Sequence, residues 1–165
     1  MILGRTVLAV IPARSGSKRC TLKNFRDFRG RALYEWSIEA ARKSKYIDHF
    51  ILSTDKDRPP ELCTDTATNE DVLRFHLERW KYDIVVLLQP TSPLRIAYDI
   101  DRCIEFGYGR GACVSYRPDG TKNGAVYMAH SEWIAKHDFD APHKYYEMPD
   151  ERSLDIDYQH QFNEP

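Results

Sequence analysis

The chain has 165 residues, 42% hydrophobic and 30% charged, with 24 Lys and Arg against 25 Asp and Glu for a net charge of −1. That size suits a single domain, 1–165, whose core needs no disulfide or metal staple. Its apolar runs fall far short of the ~20 residues of a membrane span, no basic stripe with interleaved aromatics suits nucleic acid, and Met1 to Thr6 lacks a signal-peptide layout, so a cytoplasmic protein is expected.

The elements follow in chain order. Thr6 to Ala13 contains the apolar run Val7-Leu8-Ala9-Val10-Ile11 and reads as a fully buried strand. It opens into a loop that reaches Leu22-Lys23-Asn24. In that loop Ser15, Gly16 and Ser17 are small enough to let backbone N–H groups approach an anion. Arg14, Lys18, Arg19 and Lys23 supply positive charge. In a near-neutral chain this basic concentration is local, which points to a small polyanionic ligand. The loop is not a P-loop, because it has one glycine and Lys18 is followed by Arg19. A G-x-G-x-x-G fingerprint is also absent.

Arg31 to Lys43 reads as a helix with Leu33, Trp36, Ser37, Ala40 and Ala41 on one face. Phe50 to Ser53 is the next strand, followed by a loop that Pro59 and Pro60 keep out of both helix and ladder. Thr68 to Trp80 is a second helix, with Thr68 and Asp71 spaced as a capping box. Asp83 to Leu88 is a second buried strand, ending at Gln89-Pro90-Thr91-Ser92-Pro93-Leu94-Arg95. Ala97 to Phe106 is a helix, Ala112 to Tyr116 and Ala125 to Met128 are strands, and Ser131 to His137 is a short helix with Ser131 as its N-cap. Strands alternating with helices imply an α/β fold with a mostly parallel sheet, whose ligands gather outside the carboxyl ends of the strands. The loops 14–24, 54–58 and 89–95 would then share one crevice.

Near the end of the chain, Asp155-Ile156-Asp157 places two carboxylates at i and i+2. In an extended segment they share a face while Ile156 turns inward. Paired oxygen ligands suit a hard cation such as Mg²⁺, with water and phosphate filling its other positions. An ordinary solvated Asp-x-Asp on a strand or turn is the plain alternative. The four cysteines have no C-x-x-C spacing and the histidines no H-E-x-x-H pattern, so reduced thiols and no histidine-based metal site are expected.

These segments occur in the order of a known family: Ile11 to Arg19 with Leu22-Lys23-Asn24, Ser53-Thr54-Asp55, Arg58 to Ala67, Leu88 to Arg95, Asn123-Gly124-Ala125-Val126-Tyr127, and Ser153 to Asp157. The chain resembles the acylneuraminate cytidylyltransferases from about Val7 onward. Relatives of that family act on pseudaminic, legionaminic and 3-deoxy-manno-octulosonic acids. The resemblance implies a three-layer Rossmann-like nucleotidyltransferase fold. It also implies transfer of CMP from CTP to the anomeric hydroxyl of a 2-keto-3-deoxy sugar acid, with release of pyrophosphate. By that likeness Arg14 and Lys18 hold the triphosphate with Lys23 nearby, and Asn24, Arg58 and Thr64 contact the cytidine. Gln89, Asn123 and Tyr127 belong to the acceptor side, and Asp155 and Asp157 hold Mg²⁺.

The chain is also shorter than the family's pattern. Only Lys56 and Asp57 separate the Ser-Thr-Asp and Arg-Pro motifs, where members carry a helix and a strand. Arg117 to Lys122 replaces the excursion that builds the family's dimer, and Gln161 stands where an acidic residue is common. A monomer or a non-standard dimer is expected. A non-catalytic nucleotide-binding or interaction protein descended from the family is the alternative.

Overall fold

In the computed structural model, which describes residues 1–16, 20, 22–109 and 111–163, the first apolar run forms β1 (Val7–Pro12). Its residues Val7 to Ile11 are fully buried because both faces of this strand are covered. Successive side chains point to opposite faces. Val7, Ala9 and Ile11 pack with residues of α1 (Leu33–Lys43) and α3 (Ala97–Gly107), while Leu8 and Val10 pack with α2 (Asn69–Arg79) and α4 (Ser131–Ile134). The result is the expected three-layer arrangement of helices, sheet and helices.

The other strands of the sheet are β4 (His49–Ser53), β5 (Ile84–Leu87), β6 (Ala112–Tyr116), β7 (Lys122–His130) and β8 (Lys144–Glu147). A separate two-stranded hairpin joins β2 (Asp27–Phe28) to β3 (Arg31–Ala32). The six-stranded order is β4-β1-β5-β7-β6-β8. β4 and β5 both run parallel to β1, with Val10 opposite Ile51 on one side and Leu87 on the other. β7 is antiparallel to β5 and to β6, and β8 returns parallel to β6. The loops after β1, β4 and β5 therefore leave the sheet at one edge, as the alternating pattern predicts.

Several boundaries differ from the sequence reading, each for a physical reason. Arg31 and Ala32 are taken by the hairpin, so α1 starts at Leu33, where the Glu35 carboxylate accepts the Ala32 N–H at 2.8 Å. The Thr68–Asp71 box forms in both directions, Asp71 N to Thr68 Oγ1 at 3.1 Å and Thr68 N to Asp71 Oδ2 at 3.0 Å. Ser131 is the first residue of α4 and His130 its N-cap, because the Ser131 hydroxyl is already donated to the Tyr82 carbonyl at 2.6 Å. β7 is longer than 125–128 because strands flank it on both sides. β8 is an added edge strand with one buried residue, Tyr146, so it has no apolar run to announce it. All four cysteines are free thiols.

Residues 153–162 return under the sheet edge through a small cluster. Ile156 is fully buried there with Phe28 and Leu33, and Leu154 and Phe162 pack against them. Burying a side chain of that size contributes about 1.5–3 kcal/mol, enough to hold a segment that no strand pairs.

Candidate active site

A cleft of ≈ 380 Å³ opens at the carboxyl ends of β1, β4 and β5. Arg14, Lys23, Asn24, Arg58, Thr64 and Gln89 line it together with both carboxylates, Asp155 and Asp157. Three loops and the chain's last segment thus converge, as the parallel topology requires.

Each side chain is placed by its own local chemistry. Arg14 follows β1, and its Nη1 donates to the Thr64 carbonyl at 2.9 Å and pairs with Asp65 at 3.0 Å. Asn24 is buried and its Nδ2 donates to the Arg14 carbonyl at 3.0 Å, so it fixes the loop on which Arg14 sits. Arg58 has a side chain only 3% exposed. Its guanidinium donates to the carbonyls of Thr54, Leu62 and Ser53 at 3.3, 3.4 and 3.4 Å, closing the loop after β4 around itself. Burial lowers its pKa, and the nearby Cys63 and Asp55 oppose that shift. Thr64 donates its hydroxyl to the Glu61 carbonyl at 3.2 Å. Ser15 is bound to Asp55 through both its N–H, at 2.7 Å, and its hydroxyl, which ties the first loop to the Ser-Thr-Asp motif. Gly16 is exposed. Ser17 and Lys18 lie outside the described residues.

Opposite these cations stands the carboxylate pair. Ile156 is turned into the core, which leaves Asp155 and Asp157 facing the cleft. Asp157 pairs with Lys23 Nζ at 3.0 Å. Because Asp157 is 41% exposed, such a pair contributes at most about 1 kcal/mol and opens easily for a ligand. Asp155 is more enclosed. Its Oδ1 is buried with no hydrogen-bond partner among the described residues. Burial pushes the Asp155 pKa up, against a hydrogen bond from Thr91 that lowers it. An orphaned, desolvated carboxylate oxygen beside a second carboxylate is a donor set that fits a hard divalent cation.

Two of the expected acceptor residues do not line this cleft. Asn123 is 1% exposed. Its Oδ1 accepts from the Ser115 hydroxyl at 2.7 Å and Ala125 N at 3.1 Å, and its Nδ2 donates to Ser153 Oγ at 2.9 Å. Its amide therefore ties β6 and β7 to the segment leading to Asp155. Tyr127 is half-buried, its ring edge-on to Phe139. Burial, with Asp155 and Glu70 nearby, pushes its hydroxyl up to about 12, so it is a neutral donor.

The structure also recruits residues that sequence reasoning missed. Thr68 and Asn69 bring the N-terminus of α2 to the cleft, and Thr91 lines it from the loop after β5. Gly124 has φ +72, and a Cβ there would lie 2.9 Å from Gln89 Oε1 and 3.6 Å from Asp155 Oδ2. The missing side chain lets the amide and the carboxylate come together. The Asn123-Gly124 dipeptide was the available signal, though it reads equally well as a plain turn.

Loop cations thus meet two carboxylates, one of them desolvated, in a cleft at the end of a mostly parallel α/β sheet, an arrangement that suits a phosphate-bearing ligand. The family model for cytidylyltransferases matches residues 8–107, and the chain belongs to that family. It is 28% identical over 209 aligned residues to an N-acylneuraminate cytidylyltransferase of Escherichia coli O18:K1:H7, covering 92% of this chain and 49% of the relative. It is 37% identical over 120 residues to a CMP-N,N'-diacetyllegionaminic acid synthase of Legionella pneumophila, covering 60% of this chain and 52% of that one. The chain spans about half the length of these relatives. An alignment of 209 residues exceeds the 165 of this chain, so the Escherichia coli relative carries residues with no counterpart here. Among solved structures, a CMP:2-keto-3-deoxy-manno-octonic acid synthetase complexed with CTP superposes with a TM-score of 0.75 at 12% identity, over 96% of this chain and 95% of that one. At that identity it attests to the fold.

Proposed function

We propose that the protein transfers CMP from CTP to the anomeric hydroxyl of a 2-keto-3-deoxy sugar acid, releasing pyrophosphate. The observation that carries this reading is the single cleft in which Arg14, Lys23 and Arg58 stand opposite Asp155 and Asp157. Family membership and the acceptors named for the relatives support it. In the reaction the hydroxyl oxygen bonds to the α-phosphorus. The bond from that phosphorus to the oxygen bridging the β-phosphate breaks, and a proton is released.

Little covalent chemistry is asked of the protein here. Positioning and charge stabilisation are the main tasks. Arg14 and Lys23, with Lys18 by family resemblance, would hold the triphosphate and draw charge toward the leaving pyrophosphate. Arg58, Asn24 and Thr64 would frame the nucleoside, with Gln89 toward the acceptor. Asp155 and Asp157 would hold Mg²⁺, which when bound neutralises phosphate charge and orients the reacting oxygens.

The test is pyrophosphate release from CTP and Mg²⁺ over a panel of sugar acids, with Asp155→Asn alongside. Turnover on one class of sugar acid is expected, reduced at least a hundredfold in Asp155→Asn. CTP binding without turnover on any acceptor would instead favour a nucleotide-binding protein that has lost the reaction.

A further inference from the structure

We propose that Gln161 is the positioning residue of the carboxylate pair, which rests on the reading of Asp155 and Asp157 as a divalent-cation site. Residues 155–158 belong to no helix or strand, so no ladder orients them. Their backbone is held from two sides instead. Ile156 N donates to the Thr91 carbonyl at 2.8 Å, which fastens the segment to the loop after β5. The Gln161 side chain bonds three more backbone groups on either side of the pair. Its Oε1 accepts from Asp157 N at 2.7 Å and from Tyr158 N at 2.8 Å, and its Nε2 donates to the Asp155 carbonyl at 3.0 Å.

One planar amide therefore grips the chain before and after the pair. Phe162, the next residue, is anchored in the cluster that buries Ile156, so the amide and the segment share one footing. The task needs an acceptor and a donor on the same side chain, which an amide has and a carboxylate lacks. Glutamate at 161 would keep both N–H contacts, but it would turn an oxyanion toward the Asp155 carbonyl and add a third negative charge. Groups that hold metal ligands in place typically alter metal affinity by roughly ten- to a hundredfold when removed.

The experiment titrates Mn²⁺ alone, without nucleotide, into the wild type, Gln161→Ala, Gln161→Glu and Asp155→Asn, following the electron paramagnetic resonance of free Mn²⁺. Hydrogen exchange of the Asp157 and Tyr158 amides is measured alongside. Gln161→Ala is expected to bind Mn²⁺ roughly ten- to a hundredfold more weakly, with faster exchange at both amides. Gln161→Glu should fall between it and the wild type, with both amides still protected. If Gln161→Ala does not fold, the weakening in Gln161→Glu decides the matter. Wild-type affinity in Gln161→Ala would overturn the proposal while leaving the cation site standing, provided Asp155→Asn loses Mn²⁺. Tighter binding by Gln161→Glu than by the wild type would also overturn it, because charge and not positioning would then govern affinity. If the wild type binds no Mn²⁺, or Asp155→Asn binds it normally, the cation-site reading falls and the proposal with it.

Discussion

His76 is buried near Arg58 of the cleft, its Nε2 2.8 Å from Ser53 Oγ at the end of β4. Burial, reinforced by the Arg58 guanidinium, pushes its pKa from 6.5 down to about 4. The folded protein therefore keeps this imidazole neutral where an unfolded chain would protonate it. Stability from this group is complete above pH 6.5 and is lost as the pH falls from 6.5 to about 4, where the folded form also takes the proton. That gap corresponds to about 3 kcal/mol. Urea denaturation at pH 7.5 and pH 5 should show the loss in the wild type and a smaller one in His76→Gln. Equal losses in the two proteins would place the acid sensitivity elsewhere. The position matters for function, since a charged His76 would press against Arg58, itself held by three carbonyls at the cleft.

The loop after β5 is organised by an arginine that never reaches the cleft. Arg95 is 3% exposed. Its Nη1 donates to the carbonyls of Gln89 and Ala125 at 2.9 and 3.1 Å, and its Nη2 donates to the Ser37 hydroxyl. Burial lowers its pKa to about 9, so it remains charged at neutral pH. It joins α1, β7 and the loop, and sets the carbonyl of Gln89, whose side chain lines the cleft and which the proposed function places toward the acceptor. Arg95→Met removes all three donors and should cost about 2–3 kcal/mol, as buried acceptors lose their partners. The KM for the acceptor should rise more than the KM for CTP, because Gln89 heads this loop. A stable variant with unchanged KM values would refute the assignment. The sequence marks the loop by its two prolines and marks Arg95 as a cation, but it does not show that this cation turns inward. The same limit applies to Asn123. Its residue type and motif suit a ligand contact, and only the meeting of Ser115, Ser153 and Ala125 around it reveals a structural amide.

At the scale of the molecule, the central strands were legible because both faces of β1 and β5 are buried, which writes continuous apolar runs into the sequence. Edge strand β8 was not, since it buries one residue. The cleft was legible as three loops after three parallel strands. The Gln161 clamp was not, because its partners are backbone groups that leave no trace in residue types. Among the described residues no helix is long and apolar enough to cross a membrane. β6 passes to β7 through a tight turn in which Arg117 N meets the Thr121 carbonyl at 2.8 Å and Gly120 N meets the Arg117 carbonyl at 2.9 Å. Asp119 closes it by accepting from Thr121 N at 2.8 Å. With this short turn in place of the excursion, we predict a monomer or a non-standard dimer, and a sedimentation velocity profile matching the interlocked dimer that the resemblance implies for the family would contradict that.

That turn has a further consequence for how the protein could be rebuilt. Residues 118–120 are exposed, and the turn leaves β6 at the same sheet edge as the loops after β1, β4 and β5. The strands on either side carry their own pairings, so the turn works as a socket: a longer segment could be spliced in there without shifting any strand's register. Such a graft would rise beside the cleft and could wall off the side next to Gln89. On the function proposed above, recognition of the acceptor would then be separable from binding of the nucleotide, as an attachment is from the frame that carries it.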